Sequence, residues 1–319
     1  MTILESLRFV QGAVAKRDLV PELQHFRIEG RKVTGYNGSL GLCAPIDIDL
    51  DITPSAVQFV KAIRCCDEEI ALSEAKGGRL LVKSGKFRSS VACVDPDDYP
   101  FKPAGGERVD LNVDLISILK KMEPFIAIDA SRPWACGILL RGASAFATNN
   151  IAIMEYWIGS TFPVEVNIPH VAVRELLRIK QNPIQMQMSE NSVTFYFEGG
   201  AWLTTLLCMA QWPDLTPILD KPSVQFPVCE QLTNAIARLI PFTDELNRCY
   251  MHNTRISTAP ADETDCTQIE VPAPEVGCYN AEELAKVLEL AHSIDLGAYP
   301  LPSVFYGDKI RGAIVGLRS

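Results

Sequence analysis

The stretch Pro54-Ser55-Ala56-Val57-Gln58-Phe59-Val60-Lys61-Ala62-Ile63, followed by Leu72-Ser73-Glu74 and Arg79-Leu80-Leu81-Val82-Lys83-Ser84-Gly85, decides the fold, because its features return in the same order further along the chain. The second copy reads Pro169-His170-Val171-Ala172-Val173-Arg174-Glu175-Leu176-Leu177, then Met188-Ser189-Glu190, then Ser192-Val193-Thr194-Phe195-Tyr196-Phe197-Glu198-Gly199. Both copies close on a cysteine and an aromatic–Pro pair, Cys93 with Tyr99-Pro100 and Cys208 with Trp212-Pro213. The period is roughly 115 residues, which marks a repeat of whole domains rather than of small solenoid units. A fainter third copy begins at Asn280 and continues through Ser303-Val304-Phe305-Tyr306-Gly307.

Each copy is preceded by a first half of similar design. Helical patterns start near Leu4, Asp114 and Cys229, and each is followed by short alternating runs such as Ile138-Leu139-Leu140 and Ala145-Phe146-Ala147 that read as strands. Two helices and several short strands per copy predict an α+β chain in which helices pack on antiparallel sheet. Polar linkers rich in Pro and Gly run from Asp95 to Glu107 and from Asp220 to Ser223. They predict three domains, residues 1–105, 106–220 and 221–319, each of ordinary domain size.

Of the 319 residues, 47% are hydrophobic and 22% charged, the balance of a globular chain. No apolar run reaches the ~18 residues of a membrane span, and Met1-Thr2-Ile3-Leu4-Glu5-Ser6 lacks the basic-then-apolar order of a signal peptide. A cytoplasmic protein without membrane contact is expected. The ten cysteines include no C-x-x-C pair, and the four histidines, His25, His170, His252 and His292, are scattered. No metal site and no cofactor is expected. Cys43, Cys93, Cys136 and Cys208 lie in apolar runs, where a reduced thiol behaves as a small hydrophobe.

The net charge of −9 argues against nucleic acid unless the cations are gathered on one surface. The predicted helices gather them. Helix 113–122 ends in Lys120-Lys121, and helix 169–180 carries Arg174 and Arg178, spaced i and i+4 on one face, with Lys180 beyond. Helix 54–65 carries Lys61 and Arg64, and Lys16-Arg17 follows the first helix. Solvated faces with cations near helix C-termini would give the same pattern on any single helix, but not its recurrence. Catalysis finds less support. Asp95, Asp97 and Asp98 lie in a Pro-rich linker where turn acids are expected, and Asp262, Glu263 and Asp265 read as a hairpin loop. Neither cluster has an adjacent histidine, and Ser84-Gly85-Lys86 lacks the rest of a phosphate-binding loop, so no catalytic residue is assigned.

In order along the chain, four segments resemble the bacterial sliding clamps, the beta subunits of the replicative DNA polymerase. Leu80-Leu81-Val82-Lys83-Ser84-Gly85-Lys86 through Asp97-Asp98-Tyr99-Pro100 is similar to the end of that family's first domain. Ala147-Thr148-Asn149-Asn150 resembles its Ala-Thr-Asp-Gly turn, and Gln211-Trp212-Pro213-Asp214 its Phe-Pro-Asp-Tyr signature. Val315-Gly316-Leu317-Arg318-Ser319 falls at its short apolar tail. The resemblance implies three sliding-clamp domains per chain and a head-to-tail homodimeric ring. Its helices would line a basic hole that holds duplex DNA through phosphates, without reading bases.

It also implies site residues. Arg17, Lys61, Lys120, Lys121, Arg174 and Arg178 would face DNA, and Arg132 and Trp134, in a loop that is Arg-Tyr-Tyr in relatives, would reach toward it. Thr148, Ile151, Ile153, Pro213, Ile218, Val315 and Leu317 would line a pocket for peptide motifs of a DNA polymerase and a clamp loader. The departures fall at that pocket. The family's Gly-His-Arg-Leu continuation reads Asn150-Ile151-Ala152-Ile153, its two arginines after the signature are replaced at Thr216-Pro217, and its Met-Pro-Met-Arg-Leu tail is altered. A shifted peptide preference follows. A second reading is a clamp-shaped protein that binds or mimics replication factors without encircling DNA.

Overall fold

In the structure, a computed structural model, residues 1–101, 105–260, 266–271 and 276–318 are described. The acidic segment with Asp262, Glu263 and Asp265 lies outside them. The described residues form six helices of eight to ten residues, α1 (Ile3–Val10), α2 (Ala56–Arg64), α3 (Leu115–Met122), α4 (His170–Ile179), α6 (Glu230–Leu239) and α7 (Ala281–Leu290). A one-turn α5 (Thr216–Leu219) lies between the last two pairs. The predicted helices are present with ends trimmed by one or two residues. Local chemistry sets several of these ends. Thr2 and Glu5 form a reciprocal capping box on α1, and the Asn280 side chain accepts from Glu283 N at the start of α7. Lys180 ends α4 in the left-handed region at φ 60°.

Among the described residues the strands are antiparallel and make four sheets. In strand Phe26–Glu29, Phe26 and Ile28 are buried while Arg27 and Glu29 turn to the other face, the period-two pattern of a sheet covered on one side. The helices cover that inner side: α1 packs on strands Lys32–Tyr36 and Leu40–Pro45. Each large apolar side chain sealed there, such as Phe26, Phe59 or Phe195, contributes about 1.5–3 kcal/mol.

By compactness the chain divides into two units, Met1–Ile116 with Val171–Leu207, and Ser117–His170 with Cys208–Ser319. The middle sequence repeat is divided between them, 106–116 and 171–207 going to the first and 117–170 and 208–220 to the second. In the first unit, strands Phe26–Glu29, Lys32–Tyr36 and Leu40–Pro45 continue through Trp202–Leu206 into Ser192–Tyr196, Gln185–Met188 and Arg108–Asp110, giving seven strands. In the second, Val166–Pro169, Gly137–Arg141, Ser144–Thr148 and Ala152–Trp157 continue through Ile310–Ile314 into Ser303–Gly307, Ala291–Ile294 and Phe226–Pro227, giving eight. Each large sheet is thus two smaller sheets from successive repeats, joined by one seam of backbone hydrogen bonds. The other two sheets have four strands each. In the first unit, Ala71–Ala75 is an end strand, and in the second, Gln268–Glu270 is one.

Candidate functional site

Two features stand out, the charged helices and a groove in the second unit. Helices α1, α2, α3, α4 and α6 together carry Arg8, Lys61, Arg64, Lys120, Lys121, Arg174, Arg178 and Arg238, against only Glu5, Glu175 and Glu230. That excess is carried by a chain whose net charge is −9. Several cations of the sheets and their turns are paired with acids: Arg27 with Asp51 and Glu29, Arg31 with Asp47, Arg141 with Glu165, and Arg311 with Glu155 and Asp220. Among the described residues, Lys61, Arg64, Lys120 and Arg174 are exposed and form no ion pair. Arg17, in the bend after α1, is exposed as well. Arg8 and Arg238 were not among the expected residues, although both sit on the polar side of the helical patterns that predicted α1 and α6.

Two expected DNA-facing cations are engaged elsewhere. Arg178 Nε donates to Glu175 Oε1 (2.7 Å) and its Nη2 donates to the Phe9 carbonyl (2.6 Å). Glu175 is 9% exposed, so Arg178 compensates a buried carboxylate and ties α4 to the end of α1. Lys121 turns back onto the sheet, with Nζ 5.3 Å from the centroid of the Tyr156 ring, while its neighbour Lys120 points outward. Adjacent helical residues are about 100° apart, so only one of the pair can share the outward face.

The groove encloses about 140 Å³ in the second unit. Its floor is the seam itself, where Ile153 pairs with Ala313 and both pack with Val304 and Leu219. Leu215 and Ile218 form one wall. The turn at Thr148, Asn150 and Ile151 forms another. This turn is firmly built. The Asn149 carboxamide oxygen accepts from Ile151 N (3.1 Å) and Ala152 N (2.9 Å), its Nδ2 donates to Glu283 (2.6 Å), and Asn150 takes φ 73°. Asp214 caps the wall of Leu215 and Ile218 by accepting from Thr216 N (3.0 Å), and the Thr216 side chain, then that backbone bond, hold the Asp214 carboxyl below the usual aspartate range.

Of the expected pocket residues, Thr148, Ile151, Ile153, Ile218 and Val315 line this groove. Pro213 does not: it is exposed, and Leu215 takes its place. The reason is the Trp212 ring, which is 6% exposed and packs edge-on against Trp134 at 5.1 Å, so Pro213 and Asp214 face solvent and Leu215 returns inward. The inward positions 212, 215 and 218 were legible as an i, i+3 pattern. Leu317 lines a neighbouring cavity of about 410 Å³ with Leu246, Asn280 and the shared Ile151. After Val315 N donates to Ile151 O (2.9 Å), Leu317 N reaches Cys278 O (2.7 Å) and Leu317 O accepts from the Tyr299 hydroxyl (2.8 Å), drawing Leu317 off the groove floor.

Arg132 and Trp134, expected at DNA, both line the groove. Arg132 Nη1 donates to Asn150 Oδ1 at 2.8 Å, and Asn167 Nδ2 holds the Trp134 carbonyl at 2.9 Å. Their loop therefore belongs to the wall beside the turn. The linker acids behave as turn residues, with Asp95 Oδ1 accepting from Asp97 N. Of the cysteines, Cys43, Cys249 and Cys278 are buried, and burial pushes the Cys249 thiol up to about 12, as for a packing residue. Cys136 and Cys208 lie just outside strands and are half-buried. No group of three or more metal-binding side chains occurs among the described residues, and no helix among them is long and apolar enough to cross a membrane.

No protein-family model matches the chain. Among curated proteins it is similar to the beta sliding clamp of Proteus mirabilis, at 22% identity over 92% of this chain and 84% of that one. Among solved structures it superposes on Caulobacter crescentus pol III beta with a TM-score of 0.84, at 18% identity over 100% of this chain and 98% of that one. The Helicobacter pylori beta clamp bound to a DNA ligase peptide gives a TM-score of 0.81, at 18% identity over 99% of this chain and 97% of that one. From end to end the chain has the fold of the bacterial beta sliding clamps, and in sequence it is a divergent likeness of them.

Proposed function

We propose that the protein is a DNA sliding clamp, a homodimeric ring of three clamp domains per chain (residues 1–105, 106–220 and 221–319) that encircles duplex DNA and tethers polymerase-type partners. The observation that carries this reading is the excess of cations on five of the six longer helices of an acidic chain, α7 with Glu282, Glu283 and Glu289 against Lys286 being the exception. Eight Lys and Arg stand against three acids on five helices, and those with no ion-pair partner among the described residues are free to neutralise phosphates. Binding of this kind is independent of base sequence, and topological closure rather than affinity supplies retention. Ring closure is supported by the sheets. Two seams are already made within the chain, while the two four-stranded sheets end on Ala71–Ala75 and Gln268–Glu270. A second copy pairing these ends would repeat the existing seam twice and remove both edges.

The partner groove supports the tethering role. Its lining is apolar apart from Arg132, Thr148 and Asn150, which suits a short peptide with aliphatic anchors. The Helicobacter pylori neighbour was solved with a DNA ligase peptide, a precedent for peptide capture on this fold. The deciding experiment is loading onto nicked circular DNA followed by gel filtration, with wild type compared with the triple variant Lys61→Glu, Lys120→Glu, Arg174→Glu. Wild type should stay on circles and slide off once they are cut, and the variant should be lost from both. Retention of the variant at wild-type levels would exclude these helices from the DNA path. A monomer that never associates with circles would instead favour a clamp-shaped protein that does not encircle DNA.

A further inference from the structure

The two seams are built on the same plan, but their outer faces differ. In the second unit Phe146 pairs with Glu155 and Glu155 with Arg311; in the first, Thr34 pairs with Cys43 and Cys43 with Trp202. The ion-paired row Glu155–Arg311–Asp220 closes the second seam's surface at this level. Among the described residues the first seam has no such row. An open cleft of about 570 Å³ stands there instead, within the usual size of a ligand site. It lies on the sheet face opposite that covered by α1, and the segment Pro96–Phe101 forms one side.

The cleft has a defined chemistry. Phe101 stacks on Trp202 at 5.2 Å, and the pair makes an aromatic shelf. The shelf is fixed because Gly41 lies beneath it: a Cβ there would stand 2.7 Å from Thr204 and 3.1 Å from Phe101. Arg108 lies over the Tyr196 ring at 3.9 Å, and Lys32 sits on the opposite side of the lining. Neither forms an ion pair among the described residues, whereas Arg27 is already matched by Glu29 and Asp51. Two exposed carboxylates, Glu29 and Asp97, complete the rim.

We propose that this cleft binds an acidic linear segment of a partner protein, with an aromatic side chain on the Phe101–Trp202 shelf and its carboxylates on Lys32 and Arg108. Charge complementarity selects the acidic occupant, because Lys32 and Arg108 are the lining cations left without counter-ions. Glu29 and Asp97 decide between a peptide and a single-stranded nucleic acid. A phosphate chain puts a charge at every unit and cannot avoid them, whereas a peptide can set its carboxylates at Lys32 and Arg108 and bring backbone N–H groups to Glu29 and Asp97. The site is separate from the groove at Ile153 and differs from it in preference: aromatic and acidic here, aliphatic there.

The test is calorimetric titration of the full chain with the probe acetyl-Asp-Asp-Phe-Asp-amide. Saturable binding is expected, weakening as salt rises. The Lys32→Gln, Arg108→Gln double variant should lose roughly tenfold or more in affinity, consistent with two charge-assisted contacts. Both residues are exposed, so the fold should be kept, as circular dichroism will check. The Leu215→Ala, Ile218→Ala variant of the other groove should bind the probe as wild type does. The proposal is overturned by any of four results. These are no saturation at millimolar probe, equal affinity for the probe with Ala in place of Phe, tighter binding of a thymidine tetranucleotide, or loss of binding in the Leu215→Ala, Ile218→Ala variant alone.

Discussion

Replacing Arg178 by alanine should destabilise the first unit far more than replacing its exposed counterpart Lys120 destabilises the second. Glu175 is buried, with its side chain 11% exposed, and a Cβ at Gly12 would stand 1.9 Å from its carboxylate, so the turn after α1 encloses it. Arg178 supplies its counter-charge and also holds the Phe9 carbonyl. Removing one partner of a fully buried pair costs about 3–5 kcal/mol, and of a surface pair about 0–1 kcal/mol. Arg178 is 43% exposed, which discounts the buried figure to about 2 kcal/mol, or roughly a thirty-fold change in an equilibrium constant. Hydrogen exchange of peptides spanning α1 and α4 reads this locally, without assuming that two compact units unfold together. Arg178→Ala should speed exchange of both helices by that factor, while Lys120→Ala should stay within about 0.5 kcal/mol of wild type. Adding Glu175→Gln should restore most of the protection by removing the orphaned charge. If Arg178→Ala leaves exchange in α1 unchanged, or if Glu175→Gln restores nothing, the pair is not what joins these helices. For the same reason Arg178 is left out of the charge reversals that test DNA retention.

Other outcomes follow from the same geometry. Leu215→Ala with Ile218→Ala should weaken binding of an aliphatic clamp-binding peptide by about 2–4 kcal/mol, while Pro213→Ala, which faces solvent, should change it by under about 0.5 kcal/mol; calorimetry with one peptide compares the two. Leu72→Asp or Ile269→Asp places a charge on a half-buried position of an end strand, and light scattering should show the protein shifting from dimer to monomer. Asp214 carries a carboxyl lowered by Thr216, so its capping contribution is fully present above the ordinary aspartate value and is lost as pH falls through the lower folded value. Peptide affinity should decline in that acidic window in wild type, and Asp214→Asn should flatten the decline.

The sequence by itself determined the order and type of the six longer helices, because an amphipathic period is written into neighbouring residues and repeated at domain spacing; the one-turn α5, too short to carry such a period, was not legible in it. The resemblance of Ala147-Thr148-Asn149-Asn150 and Gln211-Trp212-Pro213-Asp214 to two short motifs of the clamp family also located the turn at Thr148 and the segment after Trp212. The sequence determined too that cations cluster on helices while the chain as a whole is acidic. Which of those cations remain without an ion pair was decided only in three dimensions. Arg178 and Lys121 look like Arg174 and Lys120 in the sequence, yet a buried carboxylate claims the first and an aromatic ring the second. The placement of Arg132 and Trp134 at the groove, and of Leu317 outside it, likewise depends on contacts between residues far apart in the chain. The compact units were also beyond the repeat. Hydrogen bonds across the seams join Leu40–Pro45 to Trp202–Leu206 and Ala152–Trp157 to Ile310–Ile314, and backbone pairing over such separations leaves no mark on the local pattern of either strand.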